Sequence, residues 1–133
     1  MPALFFFACA TGGANIGEDL SPAELIQRAQ EASDHNRYRV ALQYYQALLE
    51  RNQQNIELVC TAEYEIAFIH YKQKKYDEAR TELNALLERY NTPDEELLPP
   101  QFKRLANIVL ESITEKEKPR FPFTLFQKKE QEA

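Results

Sequence analysis

Two stretches of the chain align without a gap, YRVALQYYQALLER at 38–51 and YDEARTELNALLER at 76–89. Tyr38 pairs with Tyr76, Ala41 with Ala79, and Ala47-Leu48-Leu49-Glu50-Arg51 with Ala85-Leu86-Leu87-Glu88-Arg89, at a constant offset of 38 residues. The stretches before them keep the spacing, since Ala29 falls on Ala67, and the count continues to Ala106 at an offset of 39. Self-similarity at a fixed spacing of this size marks a stacked repeat, whose units bury their apolar faces against one another.

Each unit reads as two helices. Ala, Leu, Tyr and Phe recur three and four apart with Glu, Gln, Lys and Arg between them, which gives apolar faces at helical spacing. Ser21, Pro22 and Glu24 form a capping-box pattern with Pro at the first helical position. Asp34-His35-Asn36 separates the first helix from the second, and Asn52 to Asn55 the second from the third. Asn91-Thr92-Pro93-Asp94 ends the fourth, and Leu98-Pro99-Pro100 fixes the entry to the fifth, because Pro cannot continue a helical ladder. The expectation is an all-α superhelix of about five antiparallel helices, two and a half repeats. Small Ala67 and Ala79 would let one hairpin close tightly, with Tyr76 and Leu83 filling the space beside them.

A chain of 133 residues supports one domain of this size. A net charge of −5 argues against nucleic acid, which needs a net basic face. No run approaches the roughly 20 apolar residues that span a bilayer. Cys9 and Cys60 sit in such different settings that neither a disulfide nor a metal site is indicated, and Cys60 reads as a buried thiol.

The run YKQKKYDEARTELNALLERYNTPD resembles a tetratricopeptide repeat, with Tyr before the turn, then Tyr76, Ala79 and large apolar residues to the helix end. It departs from that pattern in having Ala67 where Gly is commonest, no Trp, and Leu48 and Leu86 where Ala is commonest. The long period and the ending ALLERY are most similar to the repeats of BamD-type outer-membrane lipoproteins and periplasmic Tol-Pal-associated repeat proteins. The resemblance covers roughly residues 21–117.

Residues 1–20 are read as a truncated lipoprotein signal and flexible tether. Phe6-Phe7-Ala8-Cys9 resembles the end of a bacterial lipoprotein signal, with Cys9 as the lipid-attachment residue and ATGGAN as the tether behind it. The first eight residues carry no Lys or Arg, and the apolar run from Ala3 to Ala8 is short for a signal core. The competing reading is an idle or packed apolar tail on a cytoplasmic protein.

The first helix of each hairpin lines the concave side of such a solenoid. What the resemblance implies for a partner groove is Ile26 and Gln30 from the first helix, with Gln27 beside them. The third helix adds Tyr64, Glu65, Phe68, Tyr71 and Lys72, and the fifth Lys103 and Asn107. Tyr64, Phe68 and Tyr71 are spaced four and three, so they form one stripe. Taken singly each suits core filling; as a set they suit an interface, which aromatics anchor well. A carboxylate clamp of the chaperone-binding kind is not expected, because Gln27 and Gln30 stand where it needs Lys and Asn.

The segment 118–133 is read as an apolar, then charged, tail. Phe121, Phe123, Leu125 and Phe126 either cap the last helix or make a tail contact with a partner or a second copy. His70 reads as a packed histidine, and no nucleophile, phosphate loop or metal spacing is present. The expectation is therefore a scaffold with no catalytic residue and no cofactor. It would bind other proteins or peptides through its groove, meet a membrane only through a lipid anchor, and face the periplasm. The alternative is a cytoplasmic adapter that binds peptides or self-associates.

Overall fold

A computed structural model of the chain describes residues 15–119. Among them are five α-helices, α1 (Pro22–Asp34), α2 (Tyr38–Arg51), α3 (Ile56–Lys72), α4 (Tyr76–Arg89) and α5 (Pro100–Glu117), with a 3-10 turn at Glu95–Leu97. The arrangement is all-helical and repetitive. Hairpin α1–α2 stacks on hairpin α3–α4 through α2 and α3, and α5 lies across α3 and α4.

The boundaries have local causes. At the start of α1 the Ser21 hydroxyl accepts from the Glu24 amide at 3.3 Å, while the Ser21 amide donates to the Glu24 carboxylate at 2.8 Å. The second of these bonds, above all, holds the Glu24 carboxyl below the usual range. Asn55 caps α3 by accepting from Leu58, and Pro100 occupies the first turn of α5.

The two hairpin turns repeat the 38-residue offset in their backbone. Asn36 and Lys74 both adopt a left-handed conformation, with φ of 56° and 63°. The amides of Arg37 and Lys75 then reach back to the carbonyls of Ala32 and His70 at 2.8 and 2.9 Å. Those of Asn36 and Lys74 reach Ser33 and Tyr71, both at 2.9 Å. This is a Schellman ending, which satisfies carbonyls that the helix leaves open.

Two apolar clusters share α3. The first gathers Leu25, Ala29, Ala41, Tyr45 and Leu48 with Ala62 and Ile69 of α3; the second gathers Cys60, Tyr64 and Ala67 with Ala79, Leu83 and Leu86 of α4 and Phe102 and Ile113 of α5. Ala29, Ala41, Ala67 and Ala79 are fully buried, as small side chains are where paired helices pack closely. Each buried Leu or Ile contributes roughly 1.5–3 kcal/mol of transfer free energy. Ile16 and Leu20 also pack on the first cluster, and the Arg51 guanidinium donates to the carbonyls of Gly17 and Ile16 at 2.9 and 3.4 Å. Among the described residues, packing on the body therefore reaches ahead of α1 as far as Ile16.

Candidate functional site

The spacing of Tyr64, Phe68 and Tyr71 puts their rings on one face of α3, and the structure extends that stripe at both ends. Tyr64 and Phe68 stack with centroids 5.8 Å apart and planes 11° from parallel; Phe68 and Tyr71 stack at 5.8 Å and 18°. Phe102 of α5 joins Tyr64 at 5.5 Å, and Tyr76 of α4 joins Tyr71 at 6.0 Å. These separations lie within the range where offset aromatic pairs attract. Five rings thus run unbroken from α5 along α3 to α4.

Burial grades along this ladder. Tyr64 is 7% exposed and forms its floor, whereas Phe68 and Tyr71 are half-buried. Cations flank the open part: Lys72 Nζ lies 4.9 Å from the Phe68 centroid and Lys116 Nζ 5.9 Å from that of Tyr71. Such contacts favour a cation over the ring face. Lys72 also donates to the Ser33 hydroxyl of α1 at 3.2 Å, which ties the ladder to the first hairpin. Burial pushes the Glu65 carboxyl up, opposed by the charge of Lys72. It also pushes the Tyr64 phenol up to about 12, with Glu65 adding to the effect.

The other expected groove residues are placed differently. Ile26 is half-buried against the first cluster, and Gln30 is exposed on α1. Gln27 donates to Glu31 at 3.0 Å. Lys103 is paired with Glu95, and the Asn107 amide donates to the Lys103 carbonyl at 2.8 Å, so both are engaged within their own stretch of chain. Cys9 and the tail residues Phe121, Phe123, Leu125 and Phe126 lie outside the described residues.

A second concavity escaped the sequence reading. On the other side of α3, α2 and α4 leave a pocket of about 600 Å³ lined by Leu49, Ile66, Ala85 and Leu86, with Glu63, Glu82, Glu88 and Arg89 around it. Arg89 grips Glu63 with two bonds, Nε to Oε2 at 2.8 Å and Nη2 to Oε1 at 2.7 Å, and this pairing raises the guanidinium's affinity for its proton. His70 Nδ1 lies 2.7 Å from Glu82, and His70 Nε2 lies 3.9 Å from Glu78. The pocket has no signature in the repeat, because Ala85 matches Ala47 in sequence and differs only in what covers it.

Burial pushes the Cys60 thiol up, away from the thiolate that nucleophilic chemistry needs. Among the described residues no group of three His, Cys, Asp or Glu is placed to hold a metal ion, and no helix is long and apolar enough to cross a membrane.

The chain is 35% identical over 111 residues to an uncharacterized protein of Treponema pallidum (strain Nichols). The match takes in 82% of this chain and 44% of the relative, so the chain spans less than half of that protein's length. No family model and no solved structure matches the chain.

Proposed function

We propose that this chain is a non-catalytic, tetratricopeptide-like scaffold that presents its aromatic ladder to another protein. The observation that carries the reading is the continuity of the rings from Phe102 to Tyr76, with Phe68 and Tyr71 half-buried and lysines on either side. A surface of this kind suits a peptide whose aromatic or aliphatic side chains stack on the rings while its carboxylates meet Lys72 and Lys116. The 38-residue repeat and its similarity to BamD-type proteins support placing the scaffold in an envelope assembly. Phe6-Phe7-Ala8-Cys9 supports a lipid on Cys9 as its membrane attachment.

The decisive experiment places a photo-crosslinking amino acid at Tyr71 of the full chain in its native cell and identifies the adducts by mass. A protein adduct that Lys72→Glu and Lys116→Glu together abolish supports the ladder as the docking face. Failure to crosslink any protein sinks it. In parallel, fatty-acid labelling that is lost in Cys9→Ser supports the anchored form, and absence of label promotes the cytoplasmic adapter instead.

A further inference from the structure

The α2–α4 pocket lies across α3 from the ladder and has a different chemistry. Its floor and wall are apolar: Leu86 is buried, Leu49 and Ile66 are half-buried, and Ala85 stands exposed at the wall. On its rim Glu63 is already neutralised by Arg89 and Glu82 is bonded to His70 Nδ1 at 2.7 Å, whereas Glu88 is exposed and adds negative charge. An apolar groove with an acidic rim suits large apolar side chains followed closely by cations.

Such a segment, FPFTLFQKK, stands at 121–129. Phe121, Phe123 and Leu125 alternate, Phe126 follows, and Lys128 and Lys129 come next. The place where this segment leaves the body is favourable. The end of α5 is pinned to α4 by the ion pair of Glu117 with Arg80. Lys118 has turned extended, with ψ of 129°, and Pro119 and Pro122 both disfavour a helix. Glu82 projects from α4 two residues beyond Arg80, hence on the other side of the helix. Rounding a helix about 10 Å across needs only four or five extended residues at about 3.3 Å each. Counted from Lys118, five residues end at position 123.

We propose that residues 121–129 dock in the α2–α4 pocket. Phe123, Leu125 and Phe126 cover Leu49, Ile66 and Leu86, and Lys128 and Lys129 face Glu82 and Glu88. The same lysines disfavour the ladder, whose open part is already flanked by Lys72 and Lys116. Tethering raises the local concentration of the segment to the millimolar scale, so weak contacts suffice.

The test uses the full chain throughout. Backbone amide spectra of the wild type are compared with those of a variant carrying Phe123→Ser, Leu125→Ser and Phe126→Ser. The expected result is shifts at Leu49, Ile66, Ala85 and Glu88 that do not change on dilution. Shifts confined to Ile108 and Leu110, which would mean capping of α5, overturn the proposal. So do shifts at Phe68 and Tyr71, shifts lost on dilution, or no shifts at all. A second variant alters only the pocket: Ala85→Arg, at an exposed position, should speed tryptic cleavage after Lys128 and Lys129 about five-fold or more, because cleavage follows the undocked population. An unchanged cleavage rate also overturns it.

Discussion

Arg51 and Arg89 end identical stretches, yet they hold different things. Arg89 closes on Glu63 of α3 with two short bonds, at the half-buried rim of the α2–α4 pocket. Arg51 finds no carboxylate at the matching place, because Leu25 stands 38 residues before Glu63, and that leucine is buried in the first core. Arg51 instead donates to the backbone of Gly17 and Ile16 and fastens the entering chain to α2. The cores differ in the same way: Tyr45 is buried in the first hairpin where Leu83 is buried in the second. The lesson is that the repeat fixes where side chains point, while the neighbour available at each end decides what they do.

The hardest test of this comparison is a matched pair of cavities. Leu48 and Leu86 are repeat equivalents and both essentially fully buried. Each change to Ala should cost about 2–5 kcal/mol by the usual scale for buried leucines. Leu86 belongs to the cluster shared by α3, α4 and α5, so its loss should lie at the upper end, and urea denaturation of the two variants measures the gap. Equal costs would mean that position within the stack counts for little.

Alkaline pH gives the next largest effect. Burial pushes the phenols of both Tyr64 and Tyr90 up to about 12 from an ordinary value of 10.0. With the folded pKa above the unfolded one, the unfolded chain loses its protons first. The stability these two tyrosines contribute is therefore intact below pH 10 and falls as pH rises towards 12, by about 2–3 kcal/mol for each. Tyr64→Phe combined with Tyr90→Phe should flatten that fall in denaturation midpoints measured from pH 9 to 12. At neutral pH Tyr90→Phe alone should cost about 1 kcal/mol, since its hydroxyl donates to the Pro99 carbonyl at 2.6 Å. Tyr45, pushed up chiefly by burial, makes the first hairpin alkali-sensitive as well, through a residue its counterpart lacks.

The arginines come next. Arg89→Ala strands a half-buried Glu63 and should cost about 1–2 kcal/mol. Arg51→Ala, at an exposed site, should cost about 0.5 kcal/mol and chiefly loosen residues 16–20. Hydrogen exchange at Gly17 and Leu20 would show that loosening. Similar losses for both variants would undo the contrast drawn between them.

How far the sequence could be read follows from the range of each signal. The capping box at Ser21, the Asn-rich turn before α3 and the prolines around α5 act within a few residues, so the helices were legible. Ala67 and Ala79 were legible as points of close approach because the repeat shows them twice. The stripe Tyr64, Phe68 and Tyr71 was legible from its spacing. Its extension to Phe102 and Tyr76 was not, since it depends on how α5 crosses α3. The packing of Ile16 under Arg51 spans 35 residues and leaves no local pattern. Ala85 and Ala47 are the clearest case: one is exposed at the pocket and the other is 8% exposed, although nothing in the repeat distinguishes them.

The smallest expected effect is also the sharpest test of the repeat, because it concerns backbone alone. Asn36 and Lys74 hold the same left-handed conformation in equivalent turns. Asn tolerates that region through its short polar side chain, whereas Lys bears the full clash of its Cβ with the carbonyl beyond. Replacing Lys74 with Gly removes that strain, at the cost of greater freedom in the unfolded chain. The balance should favour Lys74→Gly by about 0.5–1 kcal/mol, read as a rise in thermal midpoint of a few degrees. Asn36→Gly should change the midpoint little, because less strain is relieved and the Tyr38 hydroxyl loses the Asn36 Oδ1 to which it now donates at 2.8 Å. Were Asn36→Gly to stabilise as much as Lys74→Gly, the two turns would be equally strained, and side-chain identity at the left-handed position would not be what separates them.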